Sequence, residues 1–225
     1  MESMATTVAT VSSMNDDEIF RVVAAERRDL ADVLEGLTPN QWSTPSLCGA
    51  WTVREVAGHL LMPMVVPLPK FALGMLTCGF NFDKANTKLS KEVAEQPTAE
   101  IVAGLRTNAE HRFTPPGSGP IAPLTDVLIH GQDIRRPLGL QRVFPTDPIV
   151  LVLDGLAGGS RAIVPRQRVD GLRFTATDID WSAGPDDGAS VSGTAEAILL
   201  SIAGRTVALD DLSGDGAGTL RSRLD

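Results

Sequence analysis

Apolar residues recur at helical spacing through much of the first 140 positions. From Asp16 to Leu37, the residues Ile19, Val22, Val23, Leu30, Val33, Leu34 and Leu37 fit one face of a first helix. Asp16, Asp17 and Glu18 crowd its start, where the helix dipole favours acids. Thr38-Pro39-Asn40 stops it, and a loop from Trp42 to Trp51 follows. Thr52, with Glu55 three residues on, is a capping-box pattern that opens a second helix, which Pro63 limits. The greasy stretch from Leu61 to Phe80 is interrupted by Pro63, Pro67, Pro69 and Lys70. It reads as a buried helix with a broken entry, not a membrane span. Pro97-Thr98-Ala99-Glu100 starts a third helix running to about Phe113. The break at Pro115–Pro120 precedes a fourth, with Pro123 in its first turn and its end at Pro137.

After Phe144 the pattern changes. Pro148 to Ser160 is a short Leu/Val-rich helix, and Leu172 to Trp181 alternates as a strand does. Gly184-Pro185-Asp186-Asp187-Gly188 is a turn, after which Ala189 to Ser192 pairs back as a strand. Thr194 to Gly204 is a final helix, with Arg205 at its end. The expected class is α+β: a disordered tail over 1–14, a four-helix bundle over 15–143, and a small α/β segment over 144–225. No internal repeat is present.

Composition narrows the function. The chain has 225 residues, 43% of them hydrophobic, enough to bury a core. A formal charge of −8 argues against a nucleic-acid surface. There is no Tyr to act as a phenolic acid. Cys48 and Cys78 are the only cysteines, which is no disulfide framework and fits a reduced, cytoplasmic setting. Met1 to Met14 lacks the basic start and apolar run of a signal peptide, and Met4 or Met14 would also serve as the start. Abundant Ala, Gly and Arg with scarce Lys suggests a GC-rich genome.

The candidate chemistry lies in His59, Asp126 and His130. His59 falls near the start of the second helix; Asp126 and His130 are four residues apart on the fourth, so they share a face. Two imidazoles and a carboxylate converging between packed helices give three ligands and one open position, the pattern of a reactive divalent-metal site. A single histidine on an apolar face is more often a packed core residue. Here both lie among apolar neighbours, Gly58 and Gly131 flank them, and a buried Asp beside a buried His needs a partner or a metal. His111, the third histidine, reads as a solvated helix end. Asp133 reads as a partner for the His130 ring or for Arg136. Cys48 reads as a small buried residue before it reads as a ligand or redox thiol. Trp42 and Trp51 read as core packing before pocket lining.

Two segments carry a family resemblance. Trp42-(x)₂-Pro45-Ser46-(x)-Cys48-Gly49-(x)-Trp51-Thr52-Val53-Arg54-Glu55-Val56-Ala57-Gly58-His59-Leu60, and Asp126-(x)₃-His130-Gly131-Gln132-Asp133-Ile134-Arg135-Arg136-Pro137-Leu138-Gly139, resemble motifs of the mycothiol-dependent maleylpyruvate isomerase family. That family belongs to the DinB-like metal-binding four-helix-bundle superfamily. Val191 to Arg205 more loosely resembles its C-terminal segment, similar to sterol-carrier-protein folds. The resemblance implies an actinobacterial, cytoplasmic enzyme with a divalent metal, most plausibly zinc, and mycothiol as cosubstrate. It places His59 and His130 as metal ligands, and Asp126 where the isomerase has a glutamate. It places Arg205 near the substrate, with Arg54 as the rival cation. The expected function is a thiol S-transferase or cis–trans isomerase acting on small electrophilic or carboxylate substrates. A water-using metal hydrolase and a non-catalytic metal or small-ligand binder are the alternatives. No nucleic acid or membrane partner is expected; a homodimer is compatible with the sequence.

Overall fold

The computed structural model describes residues 14–49, 51–159 and 164–224. Their elements are α1 (Asp16–Glu35), α2 (Pro39–Trp42), α3 (Val53–Val65), α4 (Leu68–Thr77), α5 (Phe82–Ala94), α6 (Thr98–Thr107), α7 (Ile121–Arg135), α8 (Thr146–Ala157) and α9 (Arg166–Val169). They continue with β1 (Leu172–Ala176), β2 (Ser182–Ala183), β3 (Ala189–Gly193), α10 (Ala195–Ile202) and α11 (Ala217–Ser222). The expected α+β class is observed. The expected tail lies outside the described residues except at its last position, Met14.

The bundle is α1, α3, α6 and α7, with α5 laid against α3. Capping residues set the helix starts. Asn15 accepts from the Glu18 N–H while the Glu18 side chain accepts from the Asn15 N–H, and Thr52 and Glu55 do the same for α3. Thr38 forms a further capping box with Gln41, so the segment expected to be only a stop carries the short helix α2.

Two other expectations change here. α3 runs past Pro63 to Val65, because a proline in the last turn forfeits a single hydrogen bond to the carbonyl four residues back. The greasy stretch beyond it is not buried: only Gly74 of α4 is in the core, while Leu68, Leu73 and Leu76 face outward. α5 was not anticipated at all. Its signals are short: Asn81 caps it by accepting from the Lys84 N–H, and Ala85, Leu89 and Val93 recur every fourth residue.

The sheet order is β2-β1-β3. β2 pairs antiparallel with β1, but β3 runs parallel to it, Leu172 opposite Ala189 through Ala176 opposite Gly193. The expected back-pairing is therefore a same-direction pairing. The turn after β2 makes this possible. It crosses so close to β1 that a Cβ on Gly184 would lie 2.1 Å from the Leu172 carbonyl oxygen, and one on Gly188 would lie 3.0 Å from Arg173 N. The chain thus returns to the start of β1 before β3 begins.

Two hydrophobic clusters form the core. One gathers the α3 side: Leu30, Leu34, Trp42, Val56, Leu60, Leu89, Ile101 and Ile134 among others. The other joins Ile19, Val23, Leu124 and Leu128 of the bundle to α8, β1, β3 and α10. The C-terminal segment therefore shares its core with one end of the bundle.

Thr52→Ala removes the α3 cap and is expected to cost about 1 kcal/mol. Urea denaturation measures this; an unchanged midpoint would mean that the capping box does not hold α3.

Candidate metal centre

α3 and α7 cross beside α5, and the site forms where they meet. His59 Nε2 lies 3.4 Å from Asp126 Oδ1, and His130 Nε2 lies 3.5 Å from the same oxygen. The two rings stand edge to face with centroids 4.8 Å apart. One ligand atom from each of the three residues lies within 4.8 Å of the others. Two donors about 2.0–2.2 Å from one ion at a tetrahedral angle stand roughly 3.3–3.5 Å apart. The separations are long for hydrogen bonds and suited to a shared divalent cation, so the donor set fits the group that the sequence implied. The imidazoles are 12% and 13% exposed but Asp126 is 38% exposed, so the cluster opens to solvent on the Asp126 side.

The outward nitrogens decide which ring atoms face the cluster. His130 Nδ1 lies 2.8 Å from Asp133 Oδ2. Asp133 is wholly buried and is held in turn by Arg205, whose Nε donates to Oδ1 at 2.9 Å and whose Nη2 donates to Oδ2 at 2.6 Å. Burial alone would push the Asp133 carboxyl up, but its bonds to Arg205 and His130 hold it below the ordinary carboxylate range. His59 Nδ1 lies 3.3 Å from the buried Ser90 hydroxyl of α5, and Trp51 leans over the His59 ring at a centroid distance of 5.3 Å.

Gly58 makes the Ser90 contact possible. A Cβ there would lie 2.7 Å from the Ser90 carbonyl oxygen and 2.9 Å from Ala94 N, so only glycine lets α3 and α5 approach this closely. Ser90 was missed in the sequence because α5 was missed; the four-residue spacing of Ala85, Leu89 and Val93 would have placed it beside the inward face.

The other candidates fall as follows. Arg205 also donates from its third nitrogen, Nη1, to the Ala203 carbonyl at 2.8 Å, so three of its five N–H groups are engaged. Its hydrogen bonds tie it to Asp133 and so to the His130 ring. Arg54 donates to the carbonyls of Ala94 and Gln96 at the end of α5, a capping role, and makes no hydrogen bond to the cluster. Asp133 pairs with His130 and Arg205; Arg136 instead pairs with Asp211 and Glu196. His111 is exposed beyond α6, where its Nδ1 accepts from the Phe113 N–H, away from the cluster. Cys48 lies near His130 and Asp133, with ligand atoms within 4.8 Å. Burial and the Asp133 charge push its thiol up to about 11, so it is protonated at neutral pH. Trp42 is core and Trp51 lines the site.

Taken together, the chain is a helical bundle with a half-buried two-histidine, one-carboxylate cluster and a small C-terminal α/β segment joined to it. Residues 23–64, from within α1 to near the end of α3 and including His59, match the family described as the mycothiol maleylpyruvate isomerase N-terminal domain. The fold is shared with a crystal structure of the mycothiol-dependent maleylpyruvate isomerase in a histidine-to-alanine variant, at 16% identity and a TM-score of 0.58 over 91% of this chain and 94% of that one. A second crystal structure of the mycothiol-dependent maleylpyruvate isomerase aligns at 15% identity and a TM-score of 0.54 over the same shares. No curated protein sequence matches the chain. Of the segments that carry the resemblance, the one from Trp42 to Leu60 lies within the matched domain, and the solved structures share the fold.

Three outcomes follow from the geometry. Arg205→Ala leaves Asp133 buried without its cation and is expected to cost about 3–5 kcal/mol, whereas Arg205→Lys keeps a charge and costs less; equal melts for wild type and alanine would break this account. Gly58→Ala forces α5 away from His59, so both stability and zinc affinity should fall; an isothermal titration matching wild type would contradict the close seam.

The third concerns pH. Burial is the largest effect on His59 and opposes its imidazolium, but the Asp126 charge and hydrogen bond, the Asn86 side chain and the Asp133 charge together overcome it and raise the His59 pKa above its ordinary value. Asp126 itself is held down at about 2, because His59, His130 and Arg27 overcome the effect of burial. A metal must displace the His59 proton. Zinc affinity should therefore weaken as pH falls, starting above the ordinary histidine range near ~6.5, while Asp126 stays ionised and adds no step. Competition titrations with a chelator, corrected for its own protonation, read this directly; a pH-independent affinity would exclude His59 as a ligand.

Proposed function

We propose that the chain is a metal-dependent enzyme that uses a small thiol, mycothiol, as cosubstrate. Its substrates are small electrophilic or anionic molecules, and its reaction is S-transfer or cis–trans isomerisation. The observation that carries this reading is the convergence of His59 Nε2 and His130 Nε2 on Asp126 Oδ1, at 3.4 and 3.5 Å, in a cluster open to solvent on one side. His59, Asp126 and His130 would hold a divalent ion, most plausibly zinc, whose charge favours the ionised form of a neighbouring thiol at neutral pH.

The chain's own residues do the rest. Asp133, fixed by Arg205, orients the His130 ring, and Ser90 does so for His59. Trp51 walls the His59 side against water. Cys48, kept protonated, is a poor nucleophile, so the reactive sulfur comes from the cosubstrate. That sulfur adds to an electrophilic carbon. The double-bond pair moves onto the activating group; if the sulfur leaves after rotation, the pair re-forms the bond and the outcome is isomerisation, and if the anion instead takes up a proton from water, the sulfur stays as a thioether and the outcome is transfer. One fold hosts many substrates, so the electrophile need not be maleylpyruvate.

Elemental analysis tests the ligands. One zinc per chain is expected in the wild type and a small fraction of that in His130→Ala, with Asp126→Glu retaining the metal and Asp126→Ala losing it. Undiminished zinc in His130→Ala would overturn the assignment. Turnover of model electrophiles should require thiol; turnover of esters or amides without thiol would establish the hydrolase reading instead.

A further inference from the structure

Among the described residues, most of the large hydrophobic side chains left exposed are neighbours in sequence: Val65, Leu68, Leu73, Leu76, Phe80 and Phe82. The helix α4 accounts for the pattern. At 100° per residue, Leu68, Ala72, Leu73 and Leu76 share one face. Gly74 lies on the opposite face, against Leu89 of α5. The outer face carries no charge, since Lys70 is turned to Glu92 of α5 at 3.0 Å. A contiguous apolar patch of this kind on an otherwise charged surface marks a contact site.

The turn between α4 and α5 adds a second observation. Gly79 and Phe80 both have positive φ, at 64° and 59°. Glycine takes this conformation freely, but a bulky aromatic does so at a cost. The Phe80 N–H donates to the Met75 carbonyl at 2.7 Å, and this bond keeps the backbone there. The effect is to hold the Phe80 ring 72% exposed at the tip of the hairpin.

Charge supplies the third. The four lysines of the chain, Lys70, Lys84, Lys88 and Lys91, all lie on this hairpin. Lys84, Lys88 and Lys91 are spaced i, i+4, i+7 and form one stripe of α5, on the other side of the helix from Ser90. Lys91 meets Glu55 at 3.0 Å, but Lys84 and Lys88 have no carboxylate at ion-pair distance among the described residues. Residues 67–94 hold four lysines against Asp83 and Glu92, so the hairpin is positive in a chain of formal charge −8.

We propose that the α4–α5 hairpin docks on an anionic lipid surface, with Leu73, Leu76 and Phe80 entering the headgroup boundary and Lys84 and Lys88 meeting the phosphates. Exposed apolar residues and unpaired lysines on one hairpin suit that boundary, where long cationic side chains extend to the headgroups. The acidic remainder of the chain would face away from such a surface. A second copy suits the hairpin less well, because two hairpins face to face bring like-charged stripes together, and protein interfaces are depleted in lysine. The contact is peripheral: among the described residues no helix is long and apolar enough to cross a membrane.

Co-sedimentation of the full chain with vesicles tests the proposal, using phosphatidylcholine alone and an equal mixture with phosphatidylglycerol. The protein should pellet with the mixed vesicles and stay in solution with the neutral ones. The double variants Lys84→Glu/Lys88→Glu and Leu73→Ser/Leu76→Ser should each lower the bound fraction about tenfold. Both change exposed residues away from the metal cluster, so unchanged zinc content serves as the control for folding. Absence of binding to the mixed vesicles, or equal binding to both kinds, overturns the proposal. A dimer in sedimentation velocity that Leu73→Ser/Leu76→Ser abolishes also overturns it, in favour of a second copy as the occupant.

Discussion

A single buried carboxylate ties the two ends of this chain together. Asp133 has no exposed surface, and it meets His130 one helical turn away and Arg205 from the far end of the sequence. A charge in that position is stable only while both partners are present. One of the ties between the C-terminal segment and the bundle, and the orientation of a candidate ligand histidine, therefore share the same ion pair. Loss of the segment would not only expose apolar surface; it would leave the ligand ring without its anchor.

The other histidine is held differently. His59 meets a hydroxyl rather than a carboxylate, and it does so because Gly58 lets the backbones of α3 and α5 come close. The two rings thus face the same oxygen of Asp126 with unequal support behind them: a charged relay behind His130, a neutral contact and an aromatic wall behind His59. This asymmetry belongs to the supporting residues and not to the three ligands themselves.

Much of this was legible in the sequence, because the signals were local. The capping pair Thr52 and Glu55 fixed the start of α3 and so the position of His59, and the four-residue step from Asp126 to His130 fixed their shared face. Spacing along α7 also offers Asp133 to the His130 ring, with Arg136 as the other partner in reach; the structure pairs it with His130. What was not legible depended on contacts between distant segments. The pairing of Arg205 with Asp133 joins residues 72 positions apart, which no local pattern shows. Nothing in 184–188 alone says that the turn crosses back over β1 and makes β3 parallel. α5 was lost for a different reason: its inward positions are Ala, Ser and Val spaced among lysines, too small and too polar in sum to stand out, although a close helix seam needs residues of that size.

The account rests on His59, Asp126 and His130 sharing one metal ion. Anomalous diffraction at the zinc edge from crystals of the zinc-loaded protein tests this most directly. The expected result is one peak per chain within bonding distance of both Nε2 atoms and an Asp126 oxygen, with a further position open toward solvent. A peak on the Cys48 sulfur, or a crystal in which zinc binds elsewhere and the two Nε2 atoms hydrogen-bond Asp126 instead, would contradict it.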